Sequence, residues 1–175
     1  MLVKKNKLFV IGNGIDHEYF DSKKDIFKKK TIRFCTIGRY SKLKNFKFLI
    51  LAFKEYLKYN NNSILTFIGG DIKGSKSEEE LLKFIKLHNL SQYINLTGVV
   101  ESSKNFLDES DIYIHPSLRE GMPRSVLEAM SMKKIVIASR IRGCREIIVD
   151  KNNIFLFEPN NLNQLINIMI KISKL

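Results

Sequence analysis

The chain is poor in cysteine, in acidic residues and in long apolar runs. Of its 175 residues only 2 are cysteines, Cys35 and Cys144, far apart and at no metal-binding spacing. A disulfide framework and a cysteine-built metal module are therefore not expected. Cys35 falls inside the apolar run at 32–37 and reads as a reduced core residue. Cys144 falls in a polar stretch and reads as a loop residue. No apolar run approaches the roughly 18 residues that a membrane span requires. The segment from Met1 to Lys7 has a charged start like that of a signal peptide. The apolar stretch after it, residues 8–11, is too short for one and stops at Gly12-Asn13-Gly14. These absences predict a cytoplasmic protein without a span.

Acidic residues are outnumbered 18 to 30 by lysine and arginine, giving a formal net charge of +12. The excess is uneven, with 13 basic against 4 acidic residues in the first 50. Such a surface either is solvated or attracts phosphates, anionic lipid or nucleic acid. Zinc spacing, a helix-turn-helix pattern and an RNA-binding aromatic motif are all missing, so no nucleic-acid partner is expected. Hydrophobic residues make up 44% of the chain, enough for one domain with a real core.

From residue 31 onward, short apolar runs alternate with helical patterns. Strands are predicted at 32–37, 64–68, 94–97, 111–115, 135–138 and 154–157. Helices are predicted at 44–59, from 77 to about 90, at 123–132 and at 162–172. In the first helix Phe46, Leu49, Ile50, Phe53 and Leu57 form one apolar stripe. The second opens at Ser77 with three glutamates. This β-α-β order predicts a parallel sheet with helices on both faces. Ligands then bind beyond the carboxyl ends of the strands. The candidate loops are Gly38-Arg39, Gly69-Gly70-Asp71, Gly98-Val99, 115–120 and 139–146. Residues 1–30 read as a lead-in segment or linker, and 31–175 as the domain. Within the lead-in, Gly12-Asn13-Gly14 is a poor dinucleotide fingerprint, because His17 occupies the third glycine position.

The strongest constellation runs from Ser117 through Glu120-Gly121-Met122-Pro123 to Glu128 and Met130. A strand ends, a loop turns, and a helix opens with Pro123 in its first turn. The helix N-terminus offers unpaired N–H groups to a diphosphate, and Gly121 lets the backbone approach a ligand. Glu120 and Glu128 could each accept hydrogen bonds from ligand hydroxyls. On the pattern alone they could equally be a surface acid and a helix residue paired with lysine. His115, at the end of a buried strand, reads as a packing residue rather than a catalytic base.

Glu120 and Glu128 enclose seven residues, and the run resembles the E-x7-E signature of the retaining glycosyltransferases of family 4. Other elements resemble that family in the same order. They are Gly38-Arg39 with Lys44, Phe67 to Asp71, Asn95 to Val99, Arg142-Gly143 to Glu146, and Asn153 with Leu156. Ile154 departs from the family's glycine at that position. The resemblance implies a single half of the two-domain GT-B fold, a Rossmann-like doubly wound sheet. It implies that Glu128 binds the ribose hydroxyls of a nucleoside-diphosphate sugar and that Glu120 faces the sugar. The backbone of Gly121, Met122 and Pro123 would hold sugar and phosphate. Arg39 and Lys44 would clamp the diphosphate, with Gly38 leaving room for it and the base near Gly98 and Val99.

The nucleotide sugar that the resemblance implies, with a UDP-sugar the first expectation, is a co-substrate. No cofactor or metal is expected, and no Asp-x-Asp motif occurs. The acceptor would be a glycan or a lipid-linked glycan of bacterial surface-polysaccharide assembly. The segment 10–20 resembles the family's hinge, so the acceptor-binding N-terminal domain is expected to be missing here. A separate chain could supply it, and the enzyme could sit at the inner face of the membrane. The alternative is a non-catalytic module of the same fold that docks on a membrane or partner through its basic N-terminal face.

Overall fold

The computed structural model describes residues 12–24, 26–27, 30–71, 74–148 and 154–174. The apolar stretch at 8–11, and Lys28, Lys29 and Asn153, lie outside the described residues.

Six strands form one parallel sheet: β1 (Ile32–Ile37), β2 (Ser63–Ile68), β3 (Ile94–Leu96), β4 (Ile112–His115), β5 (Ile135–Ser139) and β6 (Ile154–Phe157). Their spatial order is β3-β2-β1-β4-β5-β6, with every pairing parallel. This is the doubly wound order of Rossmann-like folds, with its topological switch point between β1 and β4. Central strands covered on both faces need apolar side chains at every position. β4 and β5 are buried along their whole length, with the polar His115 and Ser139 at their carboxyl ends.

Helices α1 (Phe46–Tyr56), α2 (Lys76–Leu87) and α6 (Leu162–Ile172) cover one face of the sheet. Their apolar stripes pack on Phe34, Leu65, Phe67, Ile114, Ile137 and Phe157. Here Phe34 meets Phe53 and Tyr56 edge-on, 5.7 Å and 5.1 Å from their rings. Helices α3 (Lys104–Glu109), α4 (Arg124–Ser131) and α5 (Arg142–Ile147) cover the other face. Leu107, Val126, Ala129, Met132 and Cys144 pack there on Cys35, Tyr113, Val136 and Ala138.

Ile15 and Phe20 of the lead-in pack on this second face, while Ile26 and Phe27 pack on the first. Phe20 is buried in the cluster, and its carbonyl accepts from Ser131 Oγ at 2.7 Å. Ser22 Oγ donates to Asp108 at 2.6 Å, and Lys24 pairs with the same carboxylate. Asp111 takes the backbone N–H of Phe27 at 2.8 Å and that of Arg33 at 2.9 Å. One buried carboxylate thus fastens the lead-in and the start of β1 to the sheet.

Several boundaries differ from expectation. α1 begins at Phe46 rather than 44, because Asn45 adopts a left-handed conformation (φ 57°) after a 3-10 turn at Lys42–Lys44. α2 is capped by Ser75, whose Oγ accepts from Glu78 N, and not by Ser77, whose hydroxyl donates to Asp71. α3 was not expected at all. Residues 142–147, read as polar loop, form α5, and Cys144 is buried in it. Burial pushes both thiols up to about 12, so neither is a reactive thiolate.

Candidate functional site

At the switch point the loops after β1 and β4 are tied together. Leu118 N donates to Leu43 O at 2.8 Å, fixing the β4 loop to the 3-10 turn. Lys44 ends that turn, and its side chain lies over Gly38. A Cβ on Gly38 would stand 2.8 Å from Lys44 Cε, and its φ of +152° further favours glycine. The Lys44 ammonium then reaches Glu120 Oε1 at 2.8 Å, with both side chains 23% exposed. Gly38, Lys44 and Glu120 therefore form one unit across the switch point.

Burial would raise the Glu120 carboxyl, but the hydrogen bond and charge of Lys44 outweigh it and hold it below the usual range. His115 Nε2 lies 3.9 Å from Glu120 Oε1 and has no hydrogen-bond partner. Burial first, and then the nearby Lys44 charge, lower this imidazole to about 3, against the opposing pull of Glu120. The ring is neutral at physiological pH. Its Nδ1 meets Tyr113 Oη at 3.0 Å, and Tyr113 Oη donates to Ser125 Oγ at 2.8 Å.

Ser125 belongs to the first turn of α4. Pro123 is the N-cap residue rather than the first helical one, with extended backbone (φ −73°, ψ 106°), and no side chain caps the helix. The helix thus starts without a side-chain cap directly after the loop 120–122, with Val126 N–H donating to Pro123 O at 3.1 Å. Two outside elements set that loop. Gly143 packs so closely that a Cβ there would stand 2.0 Å from Gly121 O. From the lead-in, Asn13 Nδ2 donates to Met122 O at 2.9 Å and Asn13 N to Met122 Sδ at 3.0 Å. Leu43, Glu120, Gly121, Met122, Ile141 and Arg142 line an open cleft of about 830 Å³.

The remaining expected residues lie around this unit rather than in it. Glu128 is half-buried on α4 and accepts from Ser103 Oγ at 3.1 Å, so its carboxylate faces the loop before α3. Gly98 bridges to Gly69 beyond β2 and β3 with φ +69°, and Val99 is 71% exposed. Arg39 is exposed. The structure thus joins Gly38, Lys44, Glu120 and the Gly121-Met122-Pro123 turn directly, and sets Glu128, Gly98-Val99 and Arg39 on the surrounding rims. The sequence reading missed Ser103, Asn13 and the Tyr113–Ser125 link to His115. It quoted Gly143 only as part of a motif, where a glycine opening a helix was the available signal. Among the described residues, no three His, Cys, Asp or Glu side chains gather in a way that could hold a metal ion.

Comparison with known proteins agrees with this geometry. The glycosyl transferases group 1 family matches residues 16–175. The chain is 31% identical to the Escherichia coli UDP-Gal:alpha-D-GlcNAc-diphosphoundecaprenol alpha-1,3-galactosyltransferase, over 99% of this chain and 47% of that protein. It is also 31% identical to the Staphylococcus aureus capsular polysaccharide biosynthesis glycosyltransferase CapH, over 82% of this chain and 39% of that protein. The C-terminal domain of a glycosyl transferase group 1 protein (LpcC) from Francisella tularensis superposes with a TM-score of 0.78 at 26% identity. That match covers 92% of this chain and 88% of that one. Anabaena HepE, solved in complex with UDP and glucose, superposes with a TM-score of 0.81 at 24% identity, covering 95% of this chain and 47% of that one.

A doubly wound sheet of this order, with its loops joined at the switch point, is the Rossmann-like half-domain of the GT-B fold. The chain belongs to the glycosyl transferases group 1 family. It spans about half the length of the curated relatives it matches.

Proposed function

We propose that this domain is the donor-binding half of a retaining glycosyltransferase, and that it holds a nucleoside-diphosphate sugar at the switch point. The observation that carries the reading is the meeting of Lys44, Glu120 and the uncapped N-terminus of α4 beyond β1 and β4. As the glycosidic bond of the donor breaks, negative charge grows on the departing diphosphate. Lys44 and Arg39 would supply positive charge to it, and the first N–H groups of α4 would supply oriented dipoles. Glu128 would accept from the ribose hydroxyls, Glu120 would face the sugar, and the base would lie by Gly98 and Val99. In this reading the leaving group needs no metal.

Lys44 donates to Glu120 at 2.8 Å, so a bound diphosphate would compete with that carboxylate for the ammonium. The diphosphate is the stronger competitor, because it carries more charge than one carboxylate. The names of the Escherichia coli and Staphylococcus aureus relatives support a UDP-sugar donor and a lipid-linked or polysaccharide acceptor. Acceptor contacts would come mainly from a second domain, on the same chain or another. The basic residues of the first 50 further favour work beside an anionic membrane surface.

Thermal denaturation with UDP, GDP and ADP sugars tests the reading. A ligand present at 100 times its Kd stabilises by about 2.7 kcal/mol, so one series should raise Tm by several degrees. No shift with any of them would remove the donor-site assignment. The membrane reading fails if charge reversal of Lys28, Lys29 and Lys30 leaves sedimentation with anionic vesicles unchanged.

A further inference from the structure

A diphosphate over Gly38 would compete with Glu120 for the Lys44 ammonium, and as that ammonium turns to the phosphates the Glu120 carboxylate loses part of its compensation. The group left facing Glu120 is His115, fully buried, with Nε2 unpartnered and 3.9 Å from Oε1. We propose that His115 is a positioning residue that takes over Glu120 when Lys44 leaves, donating Nε2–H to the carboxylate and holding it toward the donor sugar. This rests on the donor-site reading above.

The geometry behind His115 suits that task. Its Nδ1 is 3.0 Å from Tyr113 Oη, and Tyr113 Oη is 2.8 Å from Ser125 Oγ in the first turn of α4. The chain Ser125–Tyr113–His115 carries the same protons in either of two orders. In the first, Tyr113 donates to Ser125 and accepts from Nδ1–H, leaving Nε2 bare beside the ammonium of Lys44. In the second, Ser125 donates to Tyr113, Tyr113 donates to Nδ1, and Nε2–H faces Glu120. Passing between them moves one proton from Nδ1 to Nε2 and leaves the net charge unchanged. The first order suits the Lys44–Glu120 pair seen here. A carboxylate only accepts, so the second is the order it needs once the ammonium has gone. An approach of roughly 1 Å by either side chain would bring Nε2 and Oε1 to hydrogen-bond distance. Tyr113 and Ser125 also tie this handover to the helix whose N-terminus faces the phosphates.

Calorimetry with UDP and UDP-galactose, or with the matching GDP or ADP pair if that series stabilises the protein, separates the possibilities. His115→Leu should weaken the nucleotide sugar about three- to tenfold and leave the free diphosphate within about twofold. His115→Gln, whose amide nitrogen reaches the place of Nε2, should restore the sugar-dependent part. Tyr113→Phe, which frees Nδ1 but keeps the ring, should act in the same direction as His115→Leu. Equal loss for both ligands, equal loss in the Gln and Leu variants, or an undiminished effect of His115→Leu in a Glu120→Ala background would overturn the proposal. Should His115→Leu fail to fold, Tyr113→Phe decides: selective loss of the sugar ligand supports the handover, and no change refutes it. A wild-type protein that binds neither ligand in any series removes the donor-site reading itself, and this inference with it.

Discussion

A buried histidine that stays neutral makes the folded state sensitive to acid. His115, lowered to about 3 by burial and by Lys44 against the pull of Glu120, binds its proton only far below the value near 6.5 of an unfolded chain. Between those values the unfolded chain holds one proton more, so stability falls as pH drops through that window. Tyr113 at Nδ1 and Glu120 and Lys44 beyond Nε2 are the polar and charged groups facing the ring. The depressed carboxyls of Glu120 and Asp108 act lower, since their contribution is present above the unfolded value near 4 and is lost below it. From pH 7 to 5 we expect a loss of about 2 kcal/mol from His115, read from urea midpoints. His115→Gln should remove that slope, and an identical slope in the variant would contradict the assignment. Gly143 bears on the site through shape alone. Gly143→Ala would drive a methyl into Gly121 O, costing about 1–3 kcal/mol in thermal or urea unfolding and weakening donor binding through the displaced loop.

At the scale of elements, Asp111 holds both the lead-in, through Phe27 N–H, and the start of β1, through Arg33 N–H. Asp111→Ala leaves the N–H groups of Phe27 and Arg33 without their acceptor, an expected loss of about 2–3 kcal/mol. It should also speed tryptic cleavage in the lysine-rich stretch 23–30, while Asp111→Asn, which keeps one acceptor, should do less. The strands were legible in the sequence because a doubly covered sheet writes continuous apolar runs, and 154–157 matches the observed β6 residue for residue. The short helices were not. α3 and α5 have 6 residues each, too few to show a period. α5 buries only Gly143 and Cys144, so no apolar stripe marks it. The glutamate pair was legible from its spacing. The contact of Lys44 with Glu120 was not, since it spans 76 residues and exists only because β1 and β4 are neighbours. The Tyr113–Ser125 link crosses from strand to helix and leaves no local signature.

For the whole molecule, the account separates binding from transfer. The chain matches 47% of the length of its Escherichia coli relative, and the loops proposed to face the donor follow the strands of one sheet. Residues 1–175 should therefore bind a donor, while transfer requires the groups that bind the acceptor. In the proposed reading Glu128 and Glu120 would divide the donor between them. One carboxylate faces Ser103 at the edge of α3, and the other lines the cleft beside Gly121. The most direct test is a calorimetric titration of UDP and UDP-galactose, or the matching pair of the stabilising series, into the wild type, Glu128→Ala and Glu120→Ala. The account predicts that Glu128→Ala weakens both ligands about tenfold, the size of a lost charge-assisted hydrogen bond, and that Glu120→Ala weakens only the sugar-bearing one. Unchanged binding of both ligands in both variants would contradict it.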